Sequence, residues 1–464
     1  MRNQLAVVAV AGFGIAGLAR ASWGPGAVAP RLESGRAWYA AFLAAECACL
    51  VFGTFHRTSR LLAEDRRNGL FEANRLTPLQ ASQIASGYWF GGVLREACAA
   101  GILAAAGLAL ALPAGLPLSL WLETQLFAVI ATFQAALFAV AAGLCAGRQG
   151  LAWLWMAVPL FPGIFSQQPA WTLSNTVAPI NAMLAAFHNQ ANGGDWGDGP
   201  QFMGTALPPA LFAAAVQCAV SALLWRAVVR KIKHPESSPL APREACAGFA
   251  ALAGLEWILS RSAATQPAGM LPSTRALNFA FLVFAGLLLI AAARCDPRRL
   301  RVRLLQEHVP APWRLLARSG VPVALLLSAF LAAWLAGEIW ISRRTPPDAA
   351  ACLAVVLNGF GLFAGFAVLL DLAAMQFHGR ERRVILAGAA AACLLPPALA
   401  LMISAPSLAG WSFLAPGARA LLQPAAAATA LEILAPAAIQ AILVFALLLR
   451  WLGAWPQFLL QPQN

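Results

Sequence analysis

His56–Ser86 reads HRTSRLLAEDRRNGLFEANRLTPLQASQIAS and separates two long apolar runs, Ala37–Phe55 and Gly87–Ala111. The stretch carries five arginines and three acidic residues. Apolar runs of this kind cross a bilayer as helices, and arginine concentrates in the loops on the cytoplasmic side. The sequence therefore predicts two membrane-spanning helices joined by a charged cytoplasmic segment, residues 56–86.

The composition extends this prediction to the whole chain. Of 464 residues, 60% are hydrophobic and only 11% are charged, whereas soluble domains carry about 25% charged residues. The net charge is +13, and all but two of the basic residues are arginine. We interpret this charge as the positive-inside bias of a multi-pass protein whose basic loops meet anionic lipids, and not as a nucleic-acid surface.

The apolar runs predict an all-α polytopic membrane protein with about twelve transmembrane helices. In the first half the spans are Leu5–Ala19, Ala37–Phe55, Gly87–Ala111, Leu118–Ala146, Leu151–Phe165 and Pro208–Leu224. In the second half they are Cys246–Ser260, Ala276–Ala293, Val321–Ile341, Ala350–Met375, Val384–Ser404 and Leu431–Leu449. The segment from Gln167 to Leu207 has no lysine or arginine and is placed outside, so the N-terminus is cytoplasmic. A cleaved signal peptide is the alternative reading of the first run.

The two halves resemble a tandem repeat in one orientation. Residues 1–231 form a first six-span unit, residues 232–245 a cytoplasmic linker, and residues 246–464 a second, degenerate six-span unit. Ala178–Leu184 reads APINAML, and Ala415–Leu421 reads APGARAL at the equivalent place. Chance similarity between alanine- and leucine-rich helices is the alternative to duplication. The first of these segments is either a short helix dipping back into the membrane or an interfacial helix.

The sequence shows no catalytic constellation. Lys231 and Lys233 are the only lysines, so a G-x-x-x-x-G-K-[ST] phosphate-binding loop is excluded. The five histidines are scattered without ligand spacing, and no G-x-S-x-G is present. We therefore expect neither an enzyme nor a chain that itself binds a cofactor or a metal.

Acidic residues inside predicted spans are candidates for a transport pathway, because an unpaired carboxylate is costly in hydrocarbon. Glu46 and Glu256 are the pathway candidates. Glu96 follows Arg95 and is expected to form a local ion pair, while Asp371 lies near an interface.

The stretch from Glu64 to Leu94 resembles the ABC-2 type transporter permeases. In that family a segment of the form E-x-x-x-G-T-L-E-x-L-x-x-T-P-L follows the second span. The matching residues here are Gly69, Glu72, Thr77, Pro78 and Leu79. Leu70 replaces the usual threonine, and Tyr88 follows Gly87 where a lysine is common. The second half lacks this pattern at Leu300–Ser319.

The resemblance implies a permease subunit, an exporter by expectation, that works with a separate ABC ATPase subunit. The large excess of arginine over lysine favours a prokaryote, and hence an inner membrane. ATP and magnesium would then be bound by that partner. The ATPase contact would involve Glu64, Arg66, Arg67, Gly69, Glu72, Thr77, Pro78 and Leu79. Whether the chain also forms a homodimer stays open. The alternatives are a membrane-embedded enzyme acting on lipid-linked substrates and a non-transporting membrane scaffold.

Overall fold

The computed structural model describes residues 28–146, 173–191, 201–202, 205–206, 209–234, 237–262, 281–282, 285–293, 322–331, 363–372, 438–439 and 442–454. The predicted spans Leu5–Ala19, Leu151–Phe165 and Val384–Ser404 lie outside the described residues. The chain divides into two compact units, Met1–Pro235 and Glu236–Asn464.

Helices dominate the described part of the first unit. They are α1 (Val28–Cys47), a π-helical turn (Ala48–Gly53), α2 (Thr54–Arg67), α3 (Leu70–Leu76), α4 (Ala81–Ala111), α5 (Leu118–Ala146), α6 (Leu173–Val177), α7 (Pro179–Ala191) and α8 (Pro209–Lys233). Two antiparallel two-residue strands, β1 (Gln201–Phe202) and β2 (Thr205–Ala206), pair in between. The prediction of an all-α fold class is confirmed for the described residues.

The described part of the second unit is also helical. Its one long helix is α9, Pro242–Ser262, and shorter apolar helices cover Pro322–Leu331, Phe363–Leu372 and Ile442–Ala454. The start of α9 is fixed by Glu244, whose carboxylate accepts a 2.8 Å hydrogen bond from the backbone N–H of Ala241. The helix therefore begins four residues before the predicted span at Cys246.

Four of the described helices are long and apolar enough to cross a membrane: Gly35–Arg67, Ala81–Ala111, Leu118–Leu144 and Ala210–Lys233. The predicted span Leu118–Ala146 and α5 begin at the same residue, Leu118. Gly35–Arg67 and Ala210–Lys233 continue beyond their apolar runs into charged sequence, which suits long arginine and lysine side chains that reach toward the polar surface. Ala81–Ala111 begins six residues before its predicted start at Gly87, in a polar but uncharged stretch. The count of twelve spans and the duplication stay predictions.

Two glycines allow α2 to pack closely on its neighbours. A Cβ atom at Gly92 of α4 would lie 1.8 Å from the hydroxyl oxygen of Thr58, and one at Gly143 of α5 would lie 2.5 Å from a methyl carbon of Leu62. Small residues at such crossings let helix backbones approach each other, which is how helices associate inside membranes. The end of α2 is therefore held tightly against both α4 and α5.

The core at this end of the first unit is formed by α2, α3, α4, α5 and α8. It contains Leu62, Phe71, Ile84, Ala85, Tyr88, Leu137, Val140, Leu144, Val228 and Ile232. A second cluster toward the other end includes Tyr39, Phe127 and Met183. The charged segment singled out in the sequence is attached to the first of these clusters.

Candidate functional site

The charged segment folds as a helical elbow, which we define as residues 64–80. It comprises the last turn of α2, the short helix α3 and the link to α4. Gly69 makes the bend: its φ of 72° is left-handed, and it lies between the end of α2 at Arg67 and the start of α3 at Leu70. Only glycine adopts this conformation without steric cost. The predicted segment 56–86 is thus mostly helical, with a sharp corner.

One face of α3 is anchored in the core. The side chain of Phe71 is 2% exposed, and its ring centroid lies 6.1 Å from that of Tyr88 on α4. Burying a phenylalanine contributes about 1.5–3 kcal/mol. The elbow is therefore a built structure fixed to the membrane helices at this point.

Arg75 attaches α3 to the end of α8. Its Nε donates a 3.0 Å hydrogen bond to the main-chain carbonyl of Ile232, which lies in the last turn of α8. The same guanidinium pairs with Glu72 on the exposed side of α3. A cation is favourable at a helix C-terminus, where the last carbonyl groups have no partner within the helix.

Arg66 makes the equivalent contact with α5. Its guanidinium donates a 2.6 Å hydrogen bond to the carbonyl of Gly143, near the end of α5, and lies 6.0 Å from the centroid of the Phe71 ring. This predicted contact residue is therefore engaged within the chain.

Asp65 connects the elbow to α4. The hydroxyl of Tyr88 donates a 2.8 Å hydrogen bond to Oδ2 of Asp65. The sequence identified Tyr88 only as a departure from the family pattern and did not predict this role. Its phenol supplies a partner to the acidic residue beside the bend.

The Thr-Pro-Leu part of the elbow separates two helices, as expected of a proline at this place. The side chain of Thr77 bonds the carbonyl of Asn74 and closes the end of α3. Beyond Pro78, the backbone N–H of Gln80 donates a 2.8 Å hydrogen bond to the side chain of Gln83, as part of a capping box that starts α4. Pro78 thus lies between two capped helix ends.

The outer face of the elbow exposes apolar side chains among charges. Leu76 is 89% exposed, and Leu70 and Leu79 are about half exposed. Glu64, Arg67, Glu72, Thr77 and Pro78 are exposed as well. Exposed leucines are unremarkable in lipid, but here they stand beside charged side chains at the polar ends of the helices. The arrangement is typical of a surface that receives another protein.

Several helix ends meet at the elbow. The end of α2, the start of α4 and the end of α8 are linked through residues 64–81, with Arg75 reaching Ile232. The basic side chains of Arg230, Lys231 and Lys233 lie in the last turn of α8. The two basic clusters of the first unit, 57–75 and 226–233, therefore lie at the same end of the bundle.

The two pathway candidates are buried, each in its own unit. Glu46 is 3% exposed, and its Oε2 accepts a 3.0 Å hydrogen bond from Nε2 of Gln125 on α5. Glu256 on α9 is 1% exposed. Glu96 lies 3.7 Å from Arg57 and 3.8 Å from Arg95, so the expected local ion pair also includes α2. Among the described residues, no cluster of three histidine, cysteine or acidic residues is close enough to hold a metal ion.

Comparisons with protein-family models, with curated proteins and with solved structures each find no match for this chain.

Proposed function

We propose that this chain is the membrane subunit of an ATP-driven transporter of the ABC-2 type, and that the elbow receives a separate ATPase subunit. The observation that carries the proposal is the two-sided construction of α3. Phe71 and Arg75 fix one face to the bundle, whereas Leu70, Leu76 and Leu79 remain exposed beside it. A surface held this rigidly can transfer a push from a partner to the helices.

The charges of the elbow fit a soluble partner. Glu64, Arg67 and Glu72 are exposed, and their neighbours Arg60 and Arg75 form ion pairs along the helices. Exposed pairs of this kind contribute little to stability. They are therefore available to exchange partners for charge-assisted contacts across an interface.

The wider architecture belongs to the same proposal. The chain would have about twelve spans in two six-span units, the elbow and the N-terminus would face the cytoplasm, and the membrane would be a prokaryotic inner membrane. Substrate would be exported between the units as the ATPase cycles. The scarcity of charge within the apolar helices favours an amphiphilic or lipid-like cargo.

A site-specific photo-crosslink tests the docking surface. A photoreactive amino acid at Leu76 should capture a soluble protein with ATPase activity in native membranes. The matched control places the same group at Leu112, which is also exposed but lies just beyond the other end of α4, about 46 Å away. Equal capture at both positions, or capture at Leu76 of proteins without ATPase activity only, would contradict the proposal.

The rival functions predict different outcomes in the same membranes. A membrane-embedded enzyme acting on lipid-linked substrates would turn over its substrate in purified form without any ATPase. A scaffold would neither stimulate nor couple ATP hydrolysis. Reconstitution of the chain with the captured protein, followed by measurement of ATP-dependent transport, separates all three.

A further inference from the structure

A break between the two helices α6 and α7 lies beside α8, toward the end of α8 that is opposite the elbow. The chain runs as the short helix α6 to Val177, is non-helical at Ala178, and resumes as α7 at Pro179. Proline removes a backbone donor and restricts the preceding residue, so it interrupts the helix here. Thr176, Ala178 and Ala182 are buried, and a break at such a place needs partners for the carbonyl groups it leaves free.

Gln217 of α8 supplies one of these partners. Its Nε2 donates a 3.2 Å hydrogen bond to the carbonyl of Thr176 in the last turn of α6, and the side chain of Gln217 is fully buried. The other amide atom, Oε1, has no hydrogen-bond partner among the described residues. The side chain of Gln217 therefore attaches α8 to the break by one hydrogen bond, the bond from Nε2.

The same turn of α8 is also bonded to α5. Nε2 of Gln134 lies 3.1 Å from the carbonyl of Gln217 and 3.2 Å from the hydroxyl of Ser221. These polar groups are buried, and a buried polar group left without a partner is costly. The turn of α8 that holds the break is therefore fixed in position on both sides.

The opposite end of α8 is held by the elbow. Arg75 bonds the carbonyl of Ile232, fifteen residues after Gln217, which corresponds to about 22 Å of helix. The sequence between them, Cys218–Lys231, contains neither glycine nor proline. Sharp bends in helices occur mostly at such residues, so this part of α8 is expected to move as one piece.

We propose that α8 is a rigid connector that carries displacement of the elbow to the broken segment α6–α7, with Arg75 and Gln217 as the positioning residues at its two ends. This inference rests on the proposed function in one respect only: the docked ATPase is what would displace the elbow. The connector itself is a property of the first unit and is testable without any partner.

The simpler reading is that the two bonds act separately. Gln217 would then only satisfy a buried carbonyl group, and Arg75 would only hold the elbow. The two readings differ in whether loss of the bond at one end is detected at the other. Independent sites this far apart normally contribute additively, so a departure from additivity supports the connector.

Hydrogen–deuterium exchange of the full chain in lipid nanodiscs measures this coupling. Gln217→Met keeps the length of the side chain and removes its hydrogen bonds. Arg75→Met keeps the apolar stem of the side chain and removes the guanidinium that bonds Ile232 and Glu72. Each should raise exchange in residues 173–191 by about fivefold to tenfold, the size expected for one buried hydrogen bond. The double variant should show no more exchange there than the larger of the two single variants.

The matched controls alter neighbouring positions that take no part in the connector. Cys218→Ala changes an exposed residue beside Gln217, and Arg60→Met breaks only the exposed pair with Glu64. Both should leave exchange in residues 173–191 unchanged. If Arg75→Met raises exchange throughout the chain, the fold is lost, and Arg75→Lys, which keeps the charge but not the Nε donor, takes its place.

A change confined to the elbow and the last turn of α8 in the Arg75 variants would overturn the proposal. So would a double variant whose increase equals the product of the two single increases. These outcomes are independent of the photo-crosslink at Leu76. Failure to capture an ATPase leaves the connector standing, and failure of the connector leaves the docking surface standing.

Discussion

The guanidinium of Arg66 and the carbonyl of Gly143 are joined by a 2.6 Å hydrogen bond, although 77 residues separate them in the chain. The bond ties the last turn of α2 to the last turns of α5. Arg66 and Arg67 are both exposed, but among the described residues only Arg66 bonds another helix. Two adjacent exposed arginines of the same basic cluster therefore differ in their contacts: Arg66 is bonded within the chain, whereas the side chain of Arg67 is open to solvent.

This difference predicts unequal effects on stability. Arg66→Met should lower the free energy of unfolding by about 1 kcal/mol, because a hydrogen bond to the Gly143 carbonyl is lost. Arg67→Met should change it by less than about 0.5 kcal/mol, because the exposed Arg67 makes no side-chain hydrogen bond among the described residues. Denaturant titration in detergent, followed by tryptophan fluorescence, provides the comparison, and equal losses would contradict the assignment of Arg66 to the fold.

The bend at Gly69 predicts a glycine-specific requirement. Gly69→Ala should cost about 1–2 kcal/mol, since alanine is strained at a left-handed φ, even though no atom lies within 4 Å of the added methyl group. Gly87→Ala is the control: its Cβ also meets nothing within 4 Å, but Gly87 lies inside α4, where alanine is favoured. The thermal midpoints of the two variants should therefore shift in opposite directions.

The contact between α2 and α4 predicts that two adjacent glycines of α4 differ in their tolerance of alanine. Gly92→Ala should destabilise the chain by about 1–3 kcal/mol, because the new Cβ overlaps the hydroxyl of Thr58. Gly91→Ala should be tolerated, because its Cβ meets only a methyl carbon of Leu61 at 3.7 Å. Adding Thr58→Ala to Gly92→Ala should restore part of the loss, and no restoration would argue against this contact.

The basic clusters 57–75 and 226–233 lie at the same end of the bundle, so cysteines placed in them should be labelled from the same face of the membrane. In a background lacking the native cysteines, Arg67→Cys and Lys233→Cys should react with an impermeant thiol reagent only from the cytoplasmic face. Leu112→Cys, just beyond the other end of α4, should react only from the opposite face. Labelling of positions 67 and 233 from different faces would overturn the arrangement of α2 and α8.

The Glu72-Pro78 part of the elbow predicts where coupling is concentrated. Glu72→Ala or Pro78→Ala should weaken binding of the ATPase more than Arg301→Ala or Arg303→Ala, because the second half of the chain lacks the family pattern. A charged partner buried at an interface contributes about 2–5 kcal/mol, whereas exposed arginines contribute much less. Arg301 and Arg303 lie outside the described residues. The affinities of all four variants for the ATPase, measured under the same conditions, decide the comparison.

The sequence predicts the helices better than their ends. The start of the span at Leu118 agrees because the loop before it ends in Pro117, where the composition changes abruptly. The helix α2 continues to Arg67, and α4 reaches back to Ala81, since charged or polar residues are compatible with a helix that has left the apolar layer. The stop before Pro78 could be predicted because proline acts locally. Gly69 entered the sequence analysis only as a match to the family pattern, and its left-handed bend was not predicted.

Long-range pairings were not accessible in the same way. Arg66 and Arg67 are identical in type, so nothing in the sequence distinguishes the one that bonds Gly143. Gln217 and Thr176 are 41 residues apart, and a glutamine in an apolar helix does not indicate which carbonyl group it will meet. In the sequence, Tyr88 stands out only because a lysine is common at that place in the family. Its hydrogen bond to Asp65 depends on where folding brings the two residues.

Two arginines of the elbow, Arg66 and Arg75, reach other helices through main-chain oxygens, those of Gly143 and Ile232, and not through the side chains of those residues. Every amino acid presents the same carbonyl group, so substitutions at position 232 that keep the helix leave the bond with Arg75 intact. In a genetic screen, a defect caused by replacing Arg75 therefore has no compensating change available at its bonding partner. Suppressors should instead arise within the elbow, where Glu72 is freed, or in the gene of the protein that docks on it.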